Sequence, residues 1–267
     1  MRRFLALVFV SLLGTLAGAQ APSPAKPPEM REIMDRVLQR AKWEGEARLD
    51  ARYTYRQKRT VDRLDSDGKI TEHTVMLFDV IPAGNDTIFR MIEKNGRPLT
   101  PEEQRKEAEK EAKRESLRKA RKQGDDEVTL NQELLSRYNF TYAGAEPVNG
   151  RRALVIKFSP KPGALPENRR MDRVLNRLQG TVWIDEATYA IAKADVVLTE
   201  PVKFFIGLGA VRALRFTIDM STVDGQWLLP RETAVSYDAR ALFSTVRVNQ
   251  HSEYSDYRLV ATTTEKR

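Results

Sequence analysis

Apolar residues recur at every second position along most of this chain. In the segment from Arg212 to Tyr237, Leu214, Phe216, Ile218 and Met220 alternate with Arg215, Thr217, Asp219 and Ser221. That spacing describes a strand with one dry face and one wet face. A turn at Asp224-Gly225 leads to a second strand opening on Trp227. Gly180 to Leu198 reads the same way, as two strands joined across Asp185 to Tyr189. Ala51, Tyr53 and Tyr55 alternate with Arg52, Thr54 and Arg56 ahead of an Asp67-Gly68 hairpin turn. Strands are expected at about Ile70 to Ile81 and Thr87 to Glu93, then through Tyr138, Phe140 and Tyr142, through Leu154, Ile156 and Phe158, and through Val246, Val248 and Tyr254.

Neighbouring strands twist by roughly 20 to 25°, so one antiparallel sheet of about ten strands curls. Its concave apolar side must be filled by a helix, a second sheet or a ligand. Met30, Ile33, Met34, Val37, Leu38 and Ala41 recur at helical spacing and predict a helix over Glu29 to Trp43. Met171, Val174, Leu175 and Leu178 predict another over Glu167 to Gln179, stopped by Gly180. The expected class is mainly β, of α+β type: one large curved antiparallel sheet, an incomplete barrel, closed by amphipathic helices.

One segment breaks the β pattern. Asn95-Gly96 and Pro98 form a turn, after which Thr100 is placed to cap a helix with Pro101 at its first position and Glu103 at its third. Glu102, Glu103, Glu107, Glu111 and Glu115 each meet a Lys or Arg three residues on, and the apolar residues are only Ala108, Ala112, Leu117 and Ala120. A helix polar all round is not packed in a core. The charged insertion 100–123 is either a docking arm for a partner or a solvated excursion.

The front of the chain sets the expected address. Arg2 and Arg3 precede a run from Phe4 to Leu16 and then Ala17-Gly18-Ala19, the form of a secretory signal over 1–19, with an alternative cut after Ala21. The run falls short of the ~20 residues a membrane-spanning helix needs. Residues 20–28 read as a Pro/Ala-rich tether, and 29–262 as a single β domain. With no cysteine in the chain, neither a disulfide nor a lipid-modified N-terminus forms. The expected location is the periplasm, reached through the inner membrane by a soluble, non-lipidated protein.

The net charge of +8 includes Arg2 and Arg3, and the remaining excess is local. Arg151, Arg152, Lys157, Lys161, Arg169, Arg170, Arg173 and Arg177 face only Glu167 and Asp172. Arg169, Arg170, Arg173 and Arg177 are candidate contacts with anionic headgroups or an acidic partner; the alternative is a surface helix whose Arg stems cover apolar area. Val202 to Leu214 is apolar where a connection should be polar. Phe204, Phe205, Ile206 and Leu208, loosened by Gly207 and Gly209, form either a mobile lip at the cavity mouth or a core-packed segment. With Leu214, Phe216, Ile218 and Met220 they complete the candidate apolar site.

Enzymatic chemistry finds no footing. His73 and His251 fall on strand patterns without Cys or carboxylate at metal-ligand spacing. Ser66 to Lys69 matches S-x-x-K but lies on a hairpin turn rather than at a helix start. Asp185 and Glu186 are adjacent turn residues rather than acids paired across a cleft. No enzyme activity, cofactor or metal is expected. Nucleic acid is disfavoured by the exported compartment and by Asp125-Asp126-Glu127.

The amphipathic first helix, the Asp-Gly hairpins, the basic segment leading into Gly180, Trp183, Ile184 and Asp185, and the later Trp227, Leu228 and Pro230 resemble the bacterial outer-membrane lipoprotein-sorting proteins, the LolA/LolB-like group. The resemblance spans roughly Met30 to Leu259. It implies an incomplete antiparallel barrel closed by helices, an interior that receives lipoprotein acyl chains, and no enzymatic activity. Three departures stand against a sorting role: the receptor's lipidated cysteine is absent, the carrier's interior arginine is matched to no position, and the charged helix is inserted. The implied partners are lipoprotein acyl chains or another lipid-like ligand, with an anionic membrane surface or an envelope protein as a further contact for a monomer. The other reading is an envelope interaction or sensory module of the same fold, with a filled interior, acting through the Pro101 to Lys122 arm.

Overall fold

A computed structural model describes residues 29–83, 86–120, 129–204, 209–223, 227–241 and 244–260. The signal 1–19, the tether, the Asp224-Gly225 turn, the acidic run at Asp125 and the end of the charged insertion lie outside them. The alternating segments become β1 (Tyr53–Leu64), β2 (Ile70–Ala83), β3 (Asp86–Lys94), β4 (Arg97–Pro98), β5 (Tyr138–Val148) and β6 (Arg151–Pro160). They continue as β7 (Leu178–Asp185), β8 (Ile191–Leu198), β9 (Val202–Phe204), β10 (Gly209–Val223), β11 (Trp227–Ala241) and β12 (Ser244–Leu259). All belong to one 12-stranded sheet of order β4-β3-β2-β1-β12-β11-β10-β8-β7-β6-β5, with β9 paired to β10 beside this path. Every pairing is antiparallel. Among the described residues β4 and β5 are not joined, so the barrel is incomplete.

Helix α1 (Met30–Ala47) runs a turn beyond its expected end and stops where Arg48 turns left-handed at φ 47°. Its Ile33 and Val37 are buried against Leu154, Ile156 and Ile184, with Met30, Met34, Phe140, Tyr142 and Val182 packed around them. The face of the sheet that α1 covers is the inner face. Strand alternation sends the neighbours of those residues to the outer face. There Val148, Ala153, Ala190 and Ala192 form a smaller buried cluster with Trp183 and Met220 against it.

The inserted helix α2 (Pro101–Ala120) starts as its sequence dictates. Glu103 accepts the Thr100 backbone N–H at 2.9 Å, and the Thr100 hydroxyl accepts that of Glu103 at 3.3 Å, a reciprocal cap. Arg97 holds the Glu103 carboxylate with two bonds of 2.6 and 3.0 Å. Helix α3 (Gln132–Ser136) is capped by Asn131, which accepts from the Leu134 N–H at 2.8 Å.

The second expected amphipathic helix shortens to α4 (Arg170–Leu175). Its far end is taken by the sheet: Leu178 and Gln179 already pair with Leu198 and Val197. Gly180 therefore stops no helix. It lies inside β7, and a Cβ there would stand 2.1 Å from the Asp195 carbonyl oxygen and 3.0 Å from the Val196 Cα. Glycine allows this close strand approach.

Candidate functional site

Register carries the inner face outward from α1. Ile156 opposes Val182, Val182 opposes Ala194, and Ala194 opposes Ile218. A parallel row runs from Phe158 through Gly180 and Val196 to Phe216 and Val235. Leu214 begins a third row with Tyr237 and Val248. Ile156, under α1, is 0% exposed, whereas Leu214, Phe216 and Ile218, further along the face, are only half-buried. Of the three, Leu214 lines a groove of about 360 Å³, where Leu198, Pro201, Tyr237 and Val248 stand among Glu200, Arg212, Arg215, Asp238 and Arg247.

Met220 does not join this wall. Beside it the β10–β11 register shifts between Asp219 and Met220, leaving Arg231 as the extra residue of β11. Met220 instead packs with Trp183 against the outer cluster. Phe204 sits in β9 opposite Gly209, so the described ends of the apolar connection form a hairpin, with Val202 buried. Phe205, Ile206 and Leu208 lie outside the described residues.

Beyond Ile218 the inner face turns polar. Ile218 opposes Thr233, Thr233 opposes Ser252, and Ser252 opposes Arg59. Gln57, 3% exposed, donates to the Tyr254 hydroxyl at 3.1 Å and accepts from Arg59 at 2.8 Å. The Thr233 and Tyr254 hydroxyls stand 3.2 Å apart. The Arg59 guanidinium lies 4.9 Å from the Phe78 ring centre and 5.8 Å from that of Phe89, a cation–π arrangement. Ser252 is 0% exposed, and its hydroxyl has no hydrogen-bond partner. At the upper end of these strands Tyr55 lies 5.1 Å from Tyr257 between ring centres, and burial pushes the Tyr257 phenol well above its ordinary range. Sequence reasoning passed over this strip. The signal was present, because Gln57 and Arg59 occupy the positions of β1 in phase with Tyr53 and Tyr55.

The basic segment is largely neutralised by its folded neighbours. Arg169 grips Asp172 at 3.0 Å, Arg173 reaches Glu167 at 3.2 Å, and Arg177 reaches Glu200 at 2.9 Å. Arg170 is exposed at the start of α4. Arg151 forms a two-pronged pair with Asp185 at 2.7 and 2.8 Å. Asp185 is nearly fully buried and also accepts from the Thr188 N–H at 2.9 Å and its hydroxyl at 2.6 Å. The turn between β7 and β8 is thus closed by a buried carboxylate.

Among the described residues no group of three or more His, Cys, Asp or Glu is placed to hold a metal. His73 lies 2.6 Å from Asp62 on the exposed side of β1 and β2, and Ser66 to Lys69 occupy the turn between those strands, where Asp65 accepts the Asp67 and Lys69 N–H groups at 2.9 Å each. Among the described residues no helix is long and apolar enough to cross a membrane.

No protein-family model matches the chain, and no curated protein matches it. Solved structures similar to it include one named as an outer membrane lipoprotein-sorting protein domain from Vibrio parahaemolyticus, at 12% identity and TM-score 0.37, covering 87% of this chain and 95% of that one. A DUF1329 family protein from Desulfovibrio piger shows 10% identity and TM-score 0.32 over 87% and 95% of the two chains. A LolA superfamily protein from Nitrosomonas europaea shows 11% identity and TM-score 0.31 over 85% and 94%. Two of these neighbours are named as a lipoprotein-sorting domain and a LolA superfamily protein, and at such identities and TM-scores the likeness carries no argument about what this chain does.

Proposed function

We propose that this chain is a non-enzymatic binding or carrier protein of the bacterial periplasm, holding a lipoprotein acyl chain or another apolar, lipid-like ligand on its inner face. The observation that carries the reading is the contrast within one row of the sheet. Ile156 is sealed by α1, while Ile218, on the same face, is left half-buried together with Phe216 and Leu214. Apolar side chains left half-buried on this face suit a ligand whose stabilisation comes from methylene burial, roughly 0.8 kcal/mol for each group. The leader places the protein in the periplasm, and removal of residues 1–19 or 1–21 leaves a chain that osmotic shock releases.

Native mass spectrometry of the purified protein and displacement of a fluorescent fatty acid test the reading. A bound lipid, and loss of probe binding in an Ile218→Asp variant whose circular dichroism is unchanged, support it. Absence of any bound lipid together with no acyl-probe binding by the folded wild type overturns it. The second reading, an envelope interaction module, rests on α2, whose described side chains are mostly exposed; that reading takes over if the lipid tests fail.

A further inference from the structure

We propose that the polar strip at Thr233, Ser252 and Gln57 is the subsite for a carbonyl-type acceptor oxygen on the acyl ligand, with the Ser252 hydroxyl as its donor. The inference rests on the acyl-ligand reading of the inner face and specifies the ligand class. Three observations support it.

First, the strip continues the apolar row without a break: Ile218, Thr233 and Ser252 are consecutive cross-strand neighbours on β10, β11 and β12. Strands lie about 4.8 Å apart. An acyl chain lying across the strands over Val182, Ala194 and Ile218 therefore brings its first oxygen over Thr233 and onto Ser252. Second, the polar groups around Ser252 are already engaged with one another. Gln57 is held between Tyr254 and Arg59, and Tyr254 meets Thr233. Ser252, within this chain of contacts, is fully buried with its hydroxyl unpartnered. A buried hydroxyl without a partner destabilises a fold, and alanine would fill the position at no such cost. Third, the surroundings favour an acceptor. The Arg59 side chain, opposite Ser252 in the register, is a donor-only group held against Phe78 and Phe89. Ser252 is covered, so a ligand oxygen reaches it only as the side chains above it part.

The test compares three ligands of equal chain length, palmitic acid, monopalmitin and hexadecane, by displacement of phenylnaphthylamine from the wild type and from Ser252→Ala and Ser252→Thr. The two oxygen-bearing ligands are expected to bind about 3- to 10-fold more tightly than hexadecane, the factor one hydrogen bond supplies. Ser252→Ala removes that margin and leaves hexadecane unchanged, while Ser252→Thr keeps it. Tighter binding of palmitic acid alone identifies a carboxylate as the recognised group; an equal gain for monopalmitin identifies an ester carbonyl. Without ligand, Ser252→Ala is expected to melt at or above the wild-type temperature. Equal binding of all three ligands, or a Ser252→Ala variant that melts lower and weakens hexadecane as much as the acids, overturns the subsite. If none of the three displaces the probe, the acyl-ligand reading itself falls, and the subsite with it.

Discussion

Arg137 and Asp172 stand 3.2 Å apart with 2% and 0% of their side chains exposed, tying the start of β5 to α4. Arg137 also donates to the Pro166 carbonyl at 2.9 Å, to Asn176 at 2.6 Å and to Glu133 at 2.8 Å. Asp172 takes the Arg169 N–H at 2.9 Å. Two charges withdrawn from water are tolerated because nearly every polar atom has a partner, and deleting one partner strands the other. Asp172→Ala is expected to lower stability by about 3 to 5 kcal/mol, read as a shifted midpoint in urea unfolding.

Acid should weaken the same region. Burial works against ionisation of Asp172, but hydrogen bonds from Arg169 and the charges of Arg137 and Arg169 prevail and hold its carboxyl below the ordinary range. Asp185 is likewise opposed by burial and held low by Arg151 and Thr188. A carboxyl whose folded value lies below its unfolded one adds stability above the unfolded value, near 4, and loses it as pH falls through the folded value. The wild type should therefore unfold in progressively less urea from about pH 5 downward. A variant combining Asp172→Asn and Asp185→Asn should be less stable at neutral pH and show a flatter acid limb.

Gly180→Ala is expected to damage the fold although glycine in a strand is ordinarily the weaker residue. The added Cβ would stand 2.1 Å from the Asp195 carbonyl, which belongs to paired backbone and cannot swing aside. A loss of about 3 kcal/mol in chemical unfolding is expected; an unchanged midpoint would show that β7 and β8 separate freely.

The arm should separate from the fold at its root. Replacing Pro101 to Lys122 by a Gly/Ser linker should leave the melting temperature nearly unchanged, since the described side chains of α2 are mostly exposed and the buried residue beneath it, Leu99, is retained. In the intact protein, the Glu103 carboxyl is pulled down to about 2, first by its hydrogen bond from Arg97 and then by those from Thr100. Its carbon-13 carboxyl resonance should therefore titrate near that value, moving toward the ordinary glutamate range in Arg97→Ala.

Much of the fold was legible in local periodicity. Alternation places Leu214, Phe216 and Ile218 on one face, helical spacing places Ile33 and Val37 on another, and Thr100, Pro101 and Glu103 start a helix because their side chains act within one turn. These signals need no distant partner. The strip at Gln57, Arg59 and Ser252 was half-legible, since its phase with Tyr53 and Tyr55 is written in β1.

What the amino-acid order determined by itself is the class, one wide antiparallel sheet with an amphipathic helix on it and a charged helix inserted. Tertiary structure alone decided where that order was locally ambiguous. Met220, in phase with Ile218 along β10, packs instead with Trp183 against Val148, Ala153, Ala190 and Ala192, a contact that alternation alone does not give. Leu178 and Gln179 leave a helical pattern because strand pairing with Leu198 and Val197 takes their backbone groups. The basic excess that looked like a membrane-facing patch is mostly bound up in Asp172, Glu167, Glu200 and Asp185. Charge along a chain adds one residue at a time, but its field in space depends on which carboxylates the fold brings within a few ångströms.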